Sequence, residues 1–291
     1  MSLTEKQLAM RRSGITATDV RALSGLDPYG RSPHDVWLDK MGMSSATSES
    51  EAMSLGNELE PIVLRRLAEK RGLHVLRVDP ESLTMRHPRV AHHLATPDAW
   101  LAKTAVHDPE AIAQVKVVGL RTAHEWAEDT ETADGIPEYV LIQCAWELYV
   151  SMQVVEHVGA LIGTQVRAYR VELTPDIAHV IEALREVADR FWADHVLTKK
   201  PPAVDGSDGS ARMLRKLFPS GGGPVVRAGD EVELLASKYF EAKRELEQHE
   251  GKIEQLKQLL ITACGDAGGI VGEGWRLKYE LRAAREVAPK P

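Results

Sequence analysis

Cysteine is scarce in this chain: Cys144 and Cys264 are the two in 291 residues. That excludes a disulfide framework, a four-cysteine zinc site and a four-cysteine iron–sulfur cluster within the chain, and it suits a reducing compartment. No run of 18 apolar residues occurs, so no membrane span is expected. The opening MSLTEKQLAMRR lacks the apolar centre of a signal peptide, and the expected location is the cytoplasm. Basic residues are not in excess: 36 Lys and Arg face 43 Asp and Glu, a net charge of −7. This counts against a basic surface over the whole chain and leaves room for a local basic groove. Aromatics are 5%, too few for a base-stacking platform. Neither HxH nor HExxH occurs, so His87, His92 and His93 are read as surface or turn residues.

What is present is an ordinary globular composition, with 43% hydrophobic and 27% charged residues. Helices are expected over 5–12, from Val20, from Ser32-Pro33 to Met41, and over 54–71 with a stripe of Leu55, Leu59, Ile62 or Val63, and Leu67. Pro61 either kinks that last helix or opens a new first turn, and residues 43–50 read as a polar loop. Short strands follow at Leu73–Val78, Ser82–Met85, Ala91–Ala95, Trp100–Lys103 and Ala111–Val118. Then come a short helix Ala123–Glu128, a helix Glu138–Met152 that is apolar almost all round, strands Glu156–Gly163 and Val166–Leu173, and a helix capped by Thr174 and reaching Leu197. That order gives an α/β domain over 1–198 with a central mixed sheet flanked by helices. A Pro- and Gly-rich linker is expected over 199–229, with a small docked helix near 211–218. Residues 230–291 form a helical extension with a terminal strand or hairpin over 270–281; its heptad seam is Leu235, Tyr239, Ala242, Leu246, His249, Ile253, Leu256 and Leu260. Gly251 is a candidate point for splitting it into a helical hairpin.

The chemistry concentrates in Thr96–Val118. Asp98 follows a proline, and Gln114-Val115-Lys116 lies on a strand where residues two apart share a face. A carboxylate on one strand and a polar-x-Lys on the next make a divalent-metal site plausible: oxygen ligands for Mg²⁺, and a lysine to stabilise charge on a phosphate. Gln143, in an apolar helix, needs a polar partner. Near the N-terminus, Thr16, Thr18 and Asp19 precede a helix, with Arg11 and Arg12 close by; helix capping and anion binding both fit that pattern. Glu60 either favours the helix dipole or faces a site.

Taken in order, Gly14–Asp19, Pro28-Tyr29-Gly30, Gly56–Pro61, Thr96-Pro97-Asp98, Gln114-Val115-Lys116 and Tyr139–Gln143 resemble the YqaJ-type viral recombinase family, which includes phage lambda exonuclease and has the restriction-endonuclease-like PD-(D/E)xK fold. The resemblance spans about residues 10–197. It implies an Mg²⁺-dependent exonuclease, with Mn²⁺ as an alternative ion, that degrades one strand of duplex DNA from its 5′ end and passes the 3′ overhang to a single-strand annealing protein. Carried over by position, Asp98, Gln114 and the Val115 carbonyl hold the metal and Lys116 is the catalytic lysine. Glu60 lies near the metal and the attacking water, Gln143 helps close the site, and Arg11, Thr16 and Thr18 seat the 5′-phosphate. A ring-shaped trimer around DNA is the assembly that the resemblance implies.

Gln114 departs from the family pattern, which usually has glutamate there. An amide oxygen can still ligate, but it removes one negative charge from the cage. Glu110 lies on the same face four residues away, about 13 Å along a strand, and cannot share the ion. A working natural variant, a weakened enzyme and an introduced substitution all fit, as does a DNA-end-binding protein of the same fold that recruits a recombination partner.

Overall fold

The computed structural model describes residues 4–44, 50–76, 80–104, 108–128, 130–219 and 223–278. Most of the expected 43–50 loop, the end of the 73–78 strand and the end of the 270–281 hairpin lie outside them. The chain divides into two compact units, residues 1–221 and 222–291.

Three short helices open the first unit: α1 (Glu5–Arg12), α2 (Ala17–Leu23) and α3 (Pro33–Lys40). Each begins with a reciprocal capping box, Thr4 with Gln7, Thr16 with Asp19, and Ser32 with Asp35. Helices this short do not persist alone. Burial of Val20 and Ala22 on α2, and of Val36, Trp37 and Leu38 on α3, holds them in place.

Helix α4 (Glu51–Arg71) runs unbroken through Pro61, which sits in its interior rather than opening a new first turn. Its buried stripe is Val63, Leu64, Leu67 and Ala68; of the alternatives Ile62 and Val63 it is Val63 that turns inward, and Leu55, expected to face inward, is exposed. Gly72 ends the helix at φ 64°, where its lack of a Cβ lets the amide turn back to the Ala68 and Glu69 carbonyls.

A five-stranded sheet follows: β1 (His74–Val75), β4 (Ala99–Ala102), β5 (Ala111–Val118), β6 (Val155–Ile162) and β7 (Gln165–Glu172), side by side in that order. A separate ribbon pairs β2 (Met85–His87) with β3 (Val90–Ala95). The expected Ser82–Met85 strand is instead a 3₁₀ turn over Pro80–Leu83 followed by β2, and the expected helix at 123–128 is one 3₁₀ turn, Ala123–Glu125. Strands β5 and β6 are parallel, so the chain must cross over between them, and the crossing carries α5 (Glu138–Ser151).

Alternation along β5 sorts its side chains. Ala111, Ala113 and Val115 pack with α4, whereas Ile112 packs with the core around α5 and α6 (Pro175–Phe191). Gly159 on β6 lets α4 lie close, since a Cβ there would meet Val63 and Leu67 at 3.3 Å. His87 and His93, expected at the surface, are buried beneath α5 and α6, with His93 fully enclosed; their rings pack on Tyr149 and Trp146. Within 199–229, α7 (Asp208–Leu217) is a docked helix that buries Met213 and pairs Arg212 with Asp35 of α3.

In the second unit α8 (Asp230–Cys264) is continuous, so Gly251 does not split it. An antiparallel pair, β8 (Gly269–Gly272) and β9 (Trp275–Lys278), follows. Along the expected seam Leu235, Tyr239, Leu246, Ile253 and Leu256 are all exposed.

Candidate functional site

The turn between β3 and β4 delivers Asp98 to the end of β5. Its amide donates to the Ala113 carbonyl at 2.9 Å. Its carboxylate accepts two short bonds, one from the Val115 N–H and one from the Gln114 side-chain Nε2, both at 2.6 Å. The β5 alternation then aims Gln114 and Lys116 together toward α5, where Gln143 meets both: Gln143 Nε2 donates to Gln114 Oε1 at 2.8 Å, and Lys116 Nζ donates to Gln143 Oε1 at 3.0 Å. Asp98, Gln114, Lys116 and Gln143, drawn from three elements, form one connected network.

The amide directions follow from the donors. Two cations, Lys116 and Arg21, converge on Gln143 Oε1, each at 3.0 Å. That fixes Gln143 with its nitrogen toward Gln114 and Glu147, and Gln114 in turn presents its own nitrogen to Asp98. The Gln114 oxygen expected beside the metal therefore faces Gln143 instead. The order of donors, not the residue's place on the strand, decides which end points inward.

Electrostatics single out Asp98. Burial pushes its pKa up to about 7, with Glu60 and Glu147 adding to the rise and Lys116 and the Val115 N–H opposing it. Behind Gln143 lie two more buried carboxyls, Glu147 on α5 and Glu156 on β6. Burial raises both, and Glu156, beside Glu147, is held well above the usual carboxylate range. Glu147 Oε2 and both Glu156 oxygens lack an ordinary donor; a proton on Glu156, shared toward Glu147, satisfies the pair. The buried Cys144 thiol beside them is raised as well, by burial first and Glu156 next.

A second polar cluster adjoins the first through Thr96. Arg11 donates to Thr96 Oγ1 at 3.1 Å and to Thr18 Oγ1 at 3.0 Å. Thr16 is taken up by the α2 cap and by Asp19, at 2.8 Å. Asp19 is buried between Lys40 and Arg31, each at 2.6 Å. Against the upward push of burial, these cations hold it well below the usual carboxylate range.

Sequence reasoning did not find Glu147, Glu156, Arg21 or its partner Asp27, 3.3 Å away. For Glu147 the signal was available: it stands four residues after Gln143, on the same face of an otherwise apolar helix.

Residues 6–153 match the model of the YqaJ-like viral recombinase domain. The chain belongs to this family. The uncharacterized protein YqaJ of Bacillus subtilis (strain 168) is 30% identical over 287 residues, covering 92% of this chain and 81% of that one. Among solved structures, the chain is similar to LHK-Exo of Laribacter hongkongensis in complex with dAMP, at TM-score 0.52 and 17% identity over 74% of this chain and 98% of that one. At that identity the likeness concerns the fold. The YqaJ-like segment contains Arg11, Glu60, Asp98, Gln114, Lys116, Gln143 and Glu147; Glu156 lies just beyond it.

Proposed function

We propose that the protein is a divalent-metal-dependent exonuclease that enters duplex DNA at an end, degrades one strand 5′ to 3′, and leaves a 3′ single strand for an annealing partner. The observation that carries this reading is the network joining Asp98, Gln114, Lys116 and Gln143. Membership of the YqaJ-like viral recombinase family supports it, as does a fold similar to LHK-Exo, which is described as an alkaline exonuclease.

The donors fit an oxygen-preferring ion. Burial raises Asp98, Lys116 opposes the rise, and Glu60 and Glu147 add to it, so acidic groups lie around this carboxylate. Asp98, the Val115 carbonyl and the Gln114 side chain would hold Mg²⁺ or Mn²⁺, with Glu60 at the edge. Bound there, the ion supplies Lewis acidity at the scissile phosphate and a more acidic water. Gln114 presents Oε1 only if its amide turns and gives up the Gln143 bond. Lys116, steadied by Gln143, stabilises charge that develops on the phosphate. Arg11 and Thr18 receive the 5′-phosphate, with Thr16 bracing Thr18, and so set direction; a ring of three chains would keep the duplex in place.

The test gives 5′-phosphorylated linear duplex and Mg²⁺ to the protein and to Gln114→Glu. Degradation by either supports the nuclease reading; degradation by neither ends it. The second reading, a DNA-end-binding protein that recruits a partner, is favoured by the Gln114 nitrogen occupying Asp98. Tight end binding without hydrolysis in both forms would establish it.

A further inference from the structure

We propose that His92, His93 and Asp189 form a second metal site, for a zinc-class transition-metal ion, built from side chains that the nuclease network does not use. The two histidines sit on β3 and Asp189 on α6. One ligand atom from each lies within 4.8 Å of the others. His92 Nε2 is 2.8 Å from Asp189 Oδ1, and His93 Nε2 is 3.1 Å from the same oxygen. Around a tetrahedral ion with bonds of about 2.1 Å, ligand atoms stand roughly 3.4 Å apart, so small movements admit the ion.

Further features go beyond a simple clamp between helix and strand. His93 is sealed from solvent, and its Nε2 faces Asp189 Oδ1 at 3.1 Å. Its other ring nitrogen is 3.1 Å from the Tyr149 hydroxyl, the kind of outer contact that fixes a ligating imidazole's tautomer and aim. Directly after Asp189 and Phe191, the helix widens into a π-helical turn over Trp192–Leu197, and Trp192 stacks on His92 at 5.1 Å. Asp189 is half exposed, which leaves a fourth position open to water.

The donor set separates the two centres. Two imidazoles and one carboxylate suit Zn²⁺ or Co²⁺, while Mg²⁺ prefers oxygen alone. An ion bound here ties α6 to the strand that leads into Thr96 and Asp98.

The test strips the full-length protein with chelator, adds saturating Mg²⁺ to fill oxygen sites, and titrates Co²⁺ by visible absorption. Expected is one equivalent of four-coordinate Co²⁺, displaced by Zn²⁺ and indifferent to Mg²⁺. His92→Ala and Asp189→Asn, both at accessible positions, should weaken it more than tenfold. Tyr149→Phe should weaken it about 10- to 100-fold while leaving the ligands in place. Absence of Co²⁺ bands, displacement by Mg²⁺, or equal binding by the His92 and Asp189 variants overturns the proposal.

Discussion

Asp19 and Asp98 are both shielded carboxylates within one fold, yet they shift in opposite directions. Asp19 lies between Lys40 and Arg31 and is held below the usual range; Asp98 is raised to about 7, by burial first, with Lys116 opposing and Glu60 and Glu147 adding. The first pocket is electrostatically complete. In the second, Lys116 and the Val115 N–H do not offset burial, and Glu60 and Glu147 add to the rise. Burial acts upward on both carboxylates, and how far neighbouring cations offset it decides the direction.

The sharpest break in that comparison comes from removing each carboxylate. Asp98→Asn should abolish DNA degradation, and Lys116→Ala should lower it by about 10²- to 10³-fold, with the folded state retained. Asp19→Ala should instead cost about 3–5 kcal/mol of stability, because buried Lys40 loses its closest carboxylate and keeps only Asp39, at 3.4 Å, and the Arg11 carbonyl. Nuclease assays beside denaturant titrations read both. If Asp98→Asn unfolds the protein and Asp19→Ala does not, the assignment is reversed.

Gln114→Glu is expected to have the next largest effect. It sets a carboxylate where an amide now donates to Asp98 and should destabilise the metal-free protein by about 1–3 kcal/mol. Mg²⁺ should restore the loss, seen as a larger metal-dependent rise in melting temperature than the parent shows.

The pH dependence should separate the two pockets by sign. Asp98 has a folded pKa above its unfolded value, so its contribution to stability is full below about pH 4 and is lost as pH rises toward 7. Asp19 is depressed, so its contribution is present above about pH 4 and is lost as pH falls further. Asp98→Asn should flatten the metal-free stability curve between pH 4 and 7, measured by urea unfolding. Metal affinity, which needs the ionised carboxylate, should climb through pH 7 in the parent. The smallest effect belongs to Thr16→Ala, which loses the α2 cap and should cost about 1 kcal/mol without changing metal affinity.

Much of this was legible locally. Capping residues marked α2 and Pro33 marked the start of α3, and the two-residue period of β5 placed Gln114 and Lys116 on one face while a buried glutamine on the next helix called for partners. The amide direction of Gln114 was not legible, because it is set by Arg21, 122 positions before Gln143 and joined to it only by folding. His93 read as polar surface because its burial comes from Trp146, Tyr149 and α6, none of them its neighbours in sequence. Gly251 and Pro61 carry strong local signals against helix, yet both lie inside one. The 35-residue span of α8 and the packing of Val63 to Ala68 outweigh a cost of about 1 to 3 kcal/mol each.

Pro61 has a mechanical consequence. Lacking an N–H, it cannot donate a helix bond, one turn before the stretch that packs α4 onto the sheet. A helix missing a bond bends more readily there than along Val63–Ala68, which core packing holds. Glu60 directly precedes Pro61, so in the proposed nuclease a bend at this point would change how far that acid stands from Asp98.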